Sequence, residues 1–291
     1  ADWRFHPREF VGVMITSAWL QLSELTQLMP RVYGVTNTRS NSIGWATARA
    51  RFRPFAIDLN KTFRKYLITT AARQTHFLAQ TYIETAMWVT MEEFGRAHQQ
   101  RRANGTLYWP APAMEYYQAF YGRGVMQLTW AGNYASYGLY RPIPDVAVQH
   151  FFNDSRITQT SFHYWQDPRD RQGAVVERPR RWAPRFDPAV ISANTYNACD
   201  SGCHYWVSKN VGQHQININR FCDLGITSGA VGRVSVLVNG GGFGYSERQG
   251  FAAFVDRYRG DTAGSLSTTT VQFTRGSTAG TCNVDFTPQR P

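Results

Sequence analysis

Acidic residues are scarce in this chain, and three glutamates lie close together in the stretch FLAQTYIETAMWVTMEEFG at positions 77–95. If Glu84 ends an amphipathic helix and is partly buried among aromatic residues, desolvation raises the pKa of its carboxyl, as a general acid near neutral pH requires. A turn after Trp88 would let Glu93 face Glu84 across a gap. Cleavage of a glycosidic bond uses two such carboxyl groups. The alternative is that Glu84, Glu92 and Glu93 only neutralise nearby arginines.

The stretch YGRGVMQLTWAGNYASYG, at positions 121–138, is rich in side chains that suit a sugar ligand. Gly122 and Gly124 allow the backbone to approach a ligand or another chain segment closely. Neutral donors and acceptors for sugar hydroxyls and N-acetyl groups come from Gln127, Thr129 and Asn133. Flat aromatic surfaces come from Tyr121, Trp130 and Tyr134.

Three motifs in this order resemble family 19 of the glycoside hydrolases, the chitinases and phage-type endolysins. HFLAQTYIET at 76–85 resembles that family's FLAQxxHET helix, and YGRGVMQLTWAGNY at 121–134 is similar to its YxGRGxIQLTxxxNY signature. VNGGGFGYSERQGF at 238–251 resembles its INGGxNGxxxRxxx segment. The resemblance implies a mainly α, lysozyme-like fold with two lobes around a substrate groove. It implies one catalytic domain over 1–260, with a family-like core at about 55–260, an insertion at about 166–210 and a Ser/Thr-rich tail at 261–291.

Roles follow from the resemblance residue by residue. Glu84 matches the general acid and Glu93 the general base, because the endolysin branch separates the two by nine residues. Thr129 matches the residue that helps to hold the nucleophilic water. The positions that match substrate contacts are Gln127, Asn133 and Asn239, and we add Tyr121 as a substrate-binding aromatic.

The chain departs from the family pattern at three places. Ile83 replaces the histidine before the acid, so a polar support is missing. Ala86 and Met87 replace the glycines that follow the acid, which affects how the chain leaves the helix. Phe243 or Gly244, depending on the alignment, replaces the second asparagine of NGGxNG. The last two departures bear on the geometry of substrate binding.

Helical periodicity predicts helices over 10–29, over 55–67 and from the N-cap Thr70 through Trp88. An apolar run at 231–238 and a short helix over 248–259 follow, while 34–44 and 166–188 are predicted as loops. Alternating strand patterns are few outside the Ser/Thr-rich tail, so the fold is predicted to be mainly α. No apolar run approaches the roughly 18 residues that a membrane span requires.

The composition favours an anionic partner. The formal net charge is +11 and the pI is about 9.7, which suits nucleic acid, an acidic lipid surface or an acidic polymer such as bacterial cell wall. No recognised nucleic-acid-binding motif is found, so charge alone supports that partner. The alternative is simply a soluble basic surface.

Four cysteines, Cys199, Cys203, Cys222 and Cys282, all lie in the last third of the chain. Their even number predicts two disulfides in an oxidising compartment, with three possible connectivities. The stretch CDSGCHYW also brings two thiols close to His204, but a structural zinc site uses four ligands at recognisable spacing. We therefore predict no metal and no cofactor.

These patterns together predict an inverting endo-muramidase that cleaves the β-1,4 bond between N-acetylmuramic acid and N-acetylglucosamine in bacterial peptidoglycan. The alternatives are a chitinase on the same scaffold, or a non-catalytic module that binds cell-wall glycan. We expect a monomer that is secreted or delivered to the periplasm or cell wall of target bacteria. The start at Ala1 without a leader fits a domain of a larger lysin, or of an interbacterial toxin with an immunity protein and delivery machinery.

Overall fold

The structure is a computed structural model that describes residues 18–33, 43–93, 100–101, 103–104, 107–108, 120–144, 151–152, 180–181, 186–209, 216–240, 242–260 and 264–288. Over these ranges the chain is mainly helical, as predicted, and none of the helices is long and apolar enough to cross a membrane. The chain divides into two compact units, one formed by Ala1–Val89 with Trp206–Pro291 and the other by Thr90–Tyr205. Each unit is described separately.

Most helices belong to the first unit: α1 (Leu22–Gln27), α2 (Trp45–Phe52), α3 (Ala56–Lys65), α4 (Ala71–Glu84), α7 (Ile218–Cys222), α8 (Ser228–Asn239) and α9 (Tyr245–Arg259). The second unit contains α5 (Ala131–Tyr140), and α6 (Thr195–Ser208) begins in it and ends in the first. The helices predicted over 55–67 and 248–259 are confirmed as α3 and α9. The helix predicted from Thr70 through Trp88 begins as predicted but ends at Glu84, because Ala86, Met87 and Trp88 adopt a left-handed conformation. Of the helix predicted over 10–29, residues 1–17 lie outside the described part.

Strands are short except in the C-terminal segment. Gln100–Arg101 (β2) pairs with Leu107–Tyr108 (β3), and Phe151–Phe152 (β4) pairs with Arg180–Arg181 (β5). These four strands fall in or beside segments that are otherwise outside the described residues. Most of the loop predicted at 166–188 is likewise outside them.

Helix α4 forms the centre of the first unit. It begins as predicted, because the Thr70 side chain accepts a hydrogen bond from the Arg73 backbone N–H at 3.3 Å and so satisfies one unpaired donor of the first turn. Phe77 is fully buried, with its ring edge-on to those of Phe63 and Trp206. Tyr82 packs edge-on against Phe251 of α9 at 5.7 Å. These contacts with α3, α6 and α9 therefore hold α4 in a fixed position.

The chain leaves α4 through a left-handed turn. Ala86, Met87 and Trp88 have φ values of 48°, 63° and 62°, a conformation that costs L-residues roughly 1–2 kcal/mol each and that glycine adopts freely. Three hydrogen bonds to the last turn of α4 and to Thr85 hold it, the shortest from the Met87 N–H to the Tyr82 carbonyl at 2.6 Å. This chain therefore forms without glycine a turn whose backbone conformation favours glycine.

The Ser/Thr-rich segment at the C-terminus forms a β-hairpin. Thr268–Arg275 (β6) pairs antiparallel with Thr278–Asp285 (β7), and β7 also pairs with Val32–Tyr33 (β1). Two hydrogen bonds attach Thr274 to the helices: its carbonyl accepts from the Tyr245 hydroxyl at 2.7 Å, and its N–H donates to Ser228 Oγ at 3.0 Å. The segment that the sequence analysis assigned to a tail is thus part of the first unit.

The four cysteines form no disulfide in the structure, which contradicts the two predicted from their even number. Cys199 and Cys203 lie on one face of α6, where β-carbons four residues apart are about 5–6 Å from each other. A disulfide requires about 3.5–4.5 Å between β-carbons. Cys222 and Cys282 lie in α7 and β7, and burial raises the pKa of the Cys282 thiol to about 12.

Among the described residues, no group of three or more His, Cys, Asp or Glu side chains could hold a metal ion.

The second unit is organised around a buried carboxylate. Asp200 on α6 is fully buried, and its Oδ2 accepts hydrogen bonds from the Tyr137 hydroxyl at 2.9 Å and from Arg141 Nη1 at 2.8 Å. The aromatic rings of Phe120 and Tyr134 pack edge-on at 5.5 Å in the adjacent core. These contacts join α5 to α6 and fix both ends of the segment at 120–130.

We expect His76 to make stability depend on pH. Burial lowers its pKa from the usual 6.5 to about 4. Its Nε2 lies 3.0 Å from the Gly225 carbonyl, and its buried Nδ1 has no hydrogen-bond partner in the part of the chain that the structure describes. Between pH 6.5 and 4 the unfolded chain therefore binds more protons than the folded one, so the free energy of unfolding falls by about 3 kcal/mol as the pH drops through this range.

Urea unfolding of the wild type and His76→Gln at pH 7 and pH 4 measures this contribution. The variant should lose less stability between the two pH values, because its amide does not titrate. An equal loss in both proteins would show that His76 is not responsible.

Candidate active site

Glu84 is the last residue of α4, and its carboxylate is paired with a buried arginine. Arg248 on α9 is fully buried, while the Glu84 side chain is 15% exposed. Arg248 Nη2 donates to Glu84 Oε1 at 2.5 Å. Among the described residues no hydrogen bond to Glu84 Oε2 is found. One oxygen of the candidate acid is therefore held in place by Arg248.

The guanidinium of Arg248 contacts three acceptors at once. Besides Glu84, it donates to Gln80 Oε1 through Nη1 and to the Phe243 carbonyl through Nε at 3.3 Å. Gln80 is held in turn, since its Nε2 donates to Ser235 Oγ at 3.2 Å. A planar cation with five N–H donors is suited to such a fork of acceptors. Arg248 therefore orients the candidate acid.

Sequence reasoning missed Arg248, although a signal was present. The residue lies in VNGGGFGYSERQGF at the arginine of the family segment INGGxNGxxxRxxx. The sequence indicates aromatic neighbours and desolvation for Glu84. The structure adds a cation at hydrogen-bonding distance, so the expected environment was incomplete.

The departure at Ile83 has a local explanation. Gly244 has a left-handed φ of 65°, and a β-carbon built on it would overlap with Ile83 Cδ1. The isoleucine therefore packs directly on the main chain of the turn between α8 and α9. The polar support expected from the family histidine is replaced by apolar contact.

Asn239, a predicted substrate contact, is the last residue of α8 and is exposed. The helix ends there because Gly240 is left-handed, with φ 71°, and its N–H donates to the Val236 carbonyl at 2.7 Å. Glu84 and Asn239 are the predicted site residues that belong to the first unit.

In the second unit, residues 91–93 pair with 122–124 in an antiparallel arrangement. The Glu93 N–H donates to the Gly122 carbonyl at 2.9 Å, and the Gly124 N–H donates to the Met91 carbonyl at 2.8 Å. Glu92 lies opposite Arg123 in this bridge. The first motif glycine, Gly122, is therefore bonded through its backbone to the candidate base.

The neighbouring glutamates have different partners. Glu92 accepts hydrogen bonds from the Ser192 hydroxyl at 2.7 Å and from the Tyr121 hydroxyl at 3.3 Å. Glu93 Oε2 accepts from the Gly122 N–H at 3.2 Å. Side chains of successive residues in an extended segment point to opposite sides. The structure thus gives Glu92 two side-chain donors that hold it in place, and gives Glu93 a backbone donor.

Hydrogen bonds connect three predicted residues after the bridge. Thr129 Oγ1 donates to the Gln127 carbonyl at 2.7 Å, and Asn133 Nδ2 donates to the Thr129 carbonyl at 2.8 Å. Gln127 Nε2 donates to the Gly124 carbonyl at 2.9 Å, and a β-carbon on Gly122 would lie 2.8 Å from Gln127 Oε1. Because the Thr129 hydroxyl donates to a carbonyl, the lone pairs of its oxygen are available to accept a hydrogen bond from water.

Tyr121 is held between a cation and an acid. The Arg123 guanidinium lies 3.6 Å from the centre of its ring, and its hydroxyl donates to Glu92. Arg123 itself donates to the Tyr134 hydroxyl at 2.9 Å. The second unit therefore brings together these predicted site residues: Glu93, Tyr121, Gln127, Thr129 and Asn133.

We expect Arg248→Met to destabilise the protein by about 3 kcal/mol, because it leaves three acceptors without their buried donor. It should also lower hydrolytic activity by releasing Glu84 Oε1. Chemical denaturation and turnover on one substrate measure the two effects. Arg220→Met is the matched control, since Arg220 is 68% exposed and lies 3.8 Å from Asp223. Equal stability of the two variants would contradict the expected destabilisation, and wild-type turnover in folded Arg248→Met would contradict the positioning role.

Comparison with known proteins gave few matches. No family model and no curated protein matches the chain. Among solved structures, the chain is similar to chitinase C from Streptomyces griseus, with 18% identity and a TM-score of 0.45 over 77% of this chain and 97% of that one. A mutant of chitinase C gives the same identity and TM-score over 80% of this chain and 98% of that chain.

Proposed function

We propose that the protein is a peptidoglycan hydrolase, an inverting endo-muramidase that cleaves the β-1,4 bond between N-acetylmuramic acid and N-acetylglucosamine. The observation that carries the proposal is the pairing of Glu84 with fully buried Arg248 at the end of α4. Such pairing is a costly arrangement for structural purposes alone, because each buried charge must be desolvated. It holds a carboxyl group in one orientation, which proton donation to a leaving oxygen requires.

The proposed reaction uses two carboxyl groups. Glu84 donates the proton on Oε2 to the glycosidic oxygen as the bond to the sugar breaks. Glu93 takes a proton from water, which attacks the opposite face of the sugar, and the configuration at the anomeric carbon is inverted. Thr129 accepts a hydrogen bond from that water through its oxygen lone pairs. This contact helps to orient a lone pair of the water oxygen toward the anomeric carbon.

The choice of peptidoglycan over chitin rests on charge. Chitin is neutral, whereas bacterial wall is anionic, and a net charge of +11 concentrates the protein on an anionic polymer. We propose that the protein works outside the cytoplasm, where this wall lies. The chitinase and the non-catalytic binding module are the two other outcomes that an experiment must distinguish.

Mass spectrometry of fragments released from purified peptidoglycan tests the proposal. Reduction with borohydride labels the new reducing ends, and the expected product carries reduced muramic acid. Reduced glucosamine ends would indicate a glucosaminidase, and release from chitin oligomers alone would indicate a chitinase. No release from either substrate would favour the binding module. NMR of the first product formed should show the α-anomer, as inversion requires.

A further inference from the structure

We propose that Phe243 is a stacking platform for the sugar ring next to Glu84, a subsite that takes the apolar face of an N-acetylhexosamine. This inference rests on the proposed function, since it places a glycan at the candidate acid. The phenyl ring would bind the sugar by contact with a ring face and not by hydrogen bonds.

The first observation is exposure. Phe243 is 73% exposed, more than any other aromatic side chain in the described ranges, while the phenylalanines of α4 and α9 are almost fully buried. Burying a phenyl ring is favourable, and a ring left in water forgoes that stabilisation. A single exposed apolar residue is ordinary on a surface, so exposure alone does not identify a ligand.

The second observation is that the main chain beneath this ring is fixed on both sides. Gly242 is covered by the Arg275 guanidinium from the hairpin, which a β-carbon at position 242 would overlap. Gly244 packs on Ile83, and the Phe243 carbonyl accepts from Arg248 Nε at 3.3 Å. A ring presented by a fixed backbone loses little conformational entropy when a ligand covers it.

The third observation is location. The guanidinium that binds the Phe243 carbonyl through Nε binds Glu84 Oε1 through Nη2. The Phe243 carbonyl and the Glu84 carboxylate are therefore bonded to the same guanidinium. In addition, Ile83, which precedes Glu84, contacts Gly244, which follows Phe243. Ile83 and Arg248 thus join Phe243 to Glu84 by two separate contacts.

The chemistry of the ligand follows from these observations. A pyranose ring presents C–H groups on one face and hydroxyl groups around its edge, and an aromatic face binds the former without hydrogen bonds. The phenyl ring offers no charged or strongly polar group to the ligand. The subsite should therefore accept a hexosamine with or without the lactyl group of muramic acid.

Ligand binding in the Glu84→Gln background tests the inference, because the glycan stays intact while affinity is measured. The probe is the trimer of N-acetylglucosamine, titrated by calorimetry against the full chain. We expect Phe243→Ala to raise the dissociation constant about tenfold, the effect of one aromatic contact, and Phe243→Trp to keep or lower it. Leu224→Ala is the control, because Leu224 is 66% exposed in the same unit and outside the turn.

Each outcome decides a separate question. An equal dissociation constant for Phe243→Ala, Leu224→Ala and the parent would overturn the inference, as would no binding of the trimer by the parent at millimolar concentration. Weaker binding by Phe243→Ala together with no cleavage of peptidoglycan by the wild type would keep the subsite and reject the hydrolase. Circular dichroism of each variant confirms that the exposed positions leave the fold unchanged.

Discussion

Glu84→Gln is expected to lower the rate of peptidoglycan hydrolysis about 10²–10⁴-fold, the usual contribution of a general acid. The amide keeps an oxygen that can accept the hydrogen bond from Arg248, so the network around the buried guanidinium survives. It has no proton to give to the leaving oxygen. The measurement is turnover on purified peptidoglycan, with folding checked by circular dichroism and thermal unfolding.

Glu247→Gln provides the control for this prediction. It makes the same chemical change on α9, one residue before Arg248 in the sequence, and it should leave turnover near the wild-type value. Wild-type activity in a folded Glu84→Gln protein would exclude Glu84 as the acid. Loss of activity in Glu247→Gln as well would point to a general effect on α9 and not to proton donation.

The second large effect is expected at Glu93. Glu93→Gln should lose nearly all activity, again by about 10²–10⁴-fold, because an inverting enzyme needs a base to activate its water. Glu92→Gln should keep most activity. Ser192 and Tyr121 donate to different oxygens of Glu92, so the amide keeps an acceptor for only one of them, and the cost should appear in stability, by about 1 kcal/mol. Both variants are compared on the same peptidoglycan.

The opposite result would also be informative. If Glu92→Gln is inactive and Glu93→Gln is active, the two glutamates exchange roles and the mechanism with two carboxyl groups survives. If both variants are active, water is not activated by this segment. Ser192→Ala helps to separate these cases, because it removes the 2.7 Å hydrogen bond to Glu92 without changing either carboxylate.

Features fixed by local sequence were predicted well. The N-cap at Thr70 and the periodicity that follows it depend on residues within a few turns, and both are confirmed in α4. The pairing of Glu84 with Arg248 joins residues 164 positions apart. Only the folded arrangement of α4 and α9 creates it, so periodicity could not predict it.

The disulfide prediction failed for a related reason. Counting cysteines gives no information on the direction of their side chains, and one helix places Cys199 and Cys203 side by side at a separation too large for a bond.

The turn after Glu84 was partly visible in the sequence. The absence of glycine at positions 86 and 87 was visible in the sequence, and the structure shows which backbone conformation those positions adopt.

The C-terminal hairpin has a consequence for measurement. It rests on the turn that carries Phe243, through Arg275 over Gly242 and through the hydrogen bond from Tyr245 to Thr274. Coupling is reciprocal, so a ligand that binds the turn more tightly when the hairpin is in place stabilises the hairpin by that difference in binding free energy. The amide hydrogens that bond β6 to β7 exchange with water when the hairpin opens. Their exchange rates would therefore report occupancy of the turn without any reaction being observed.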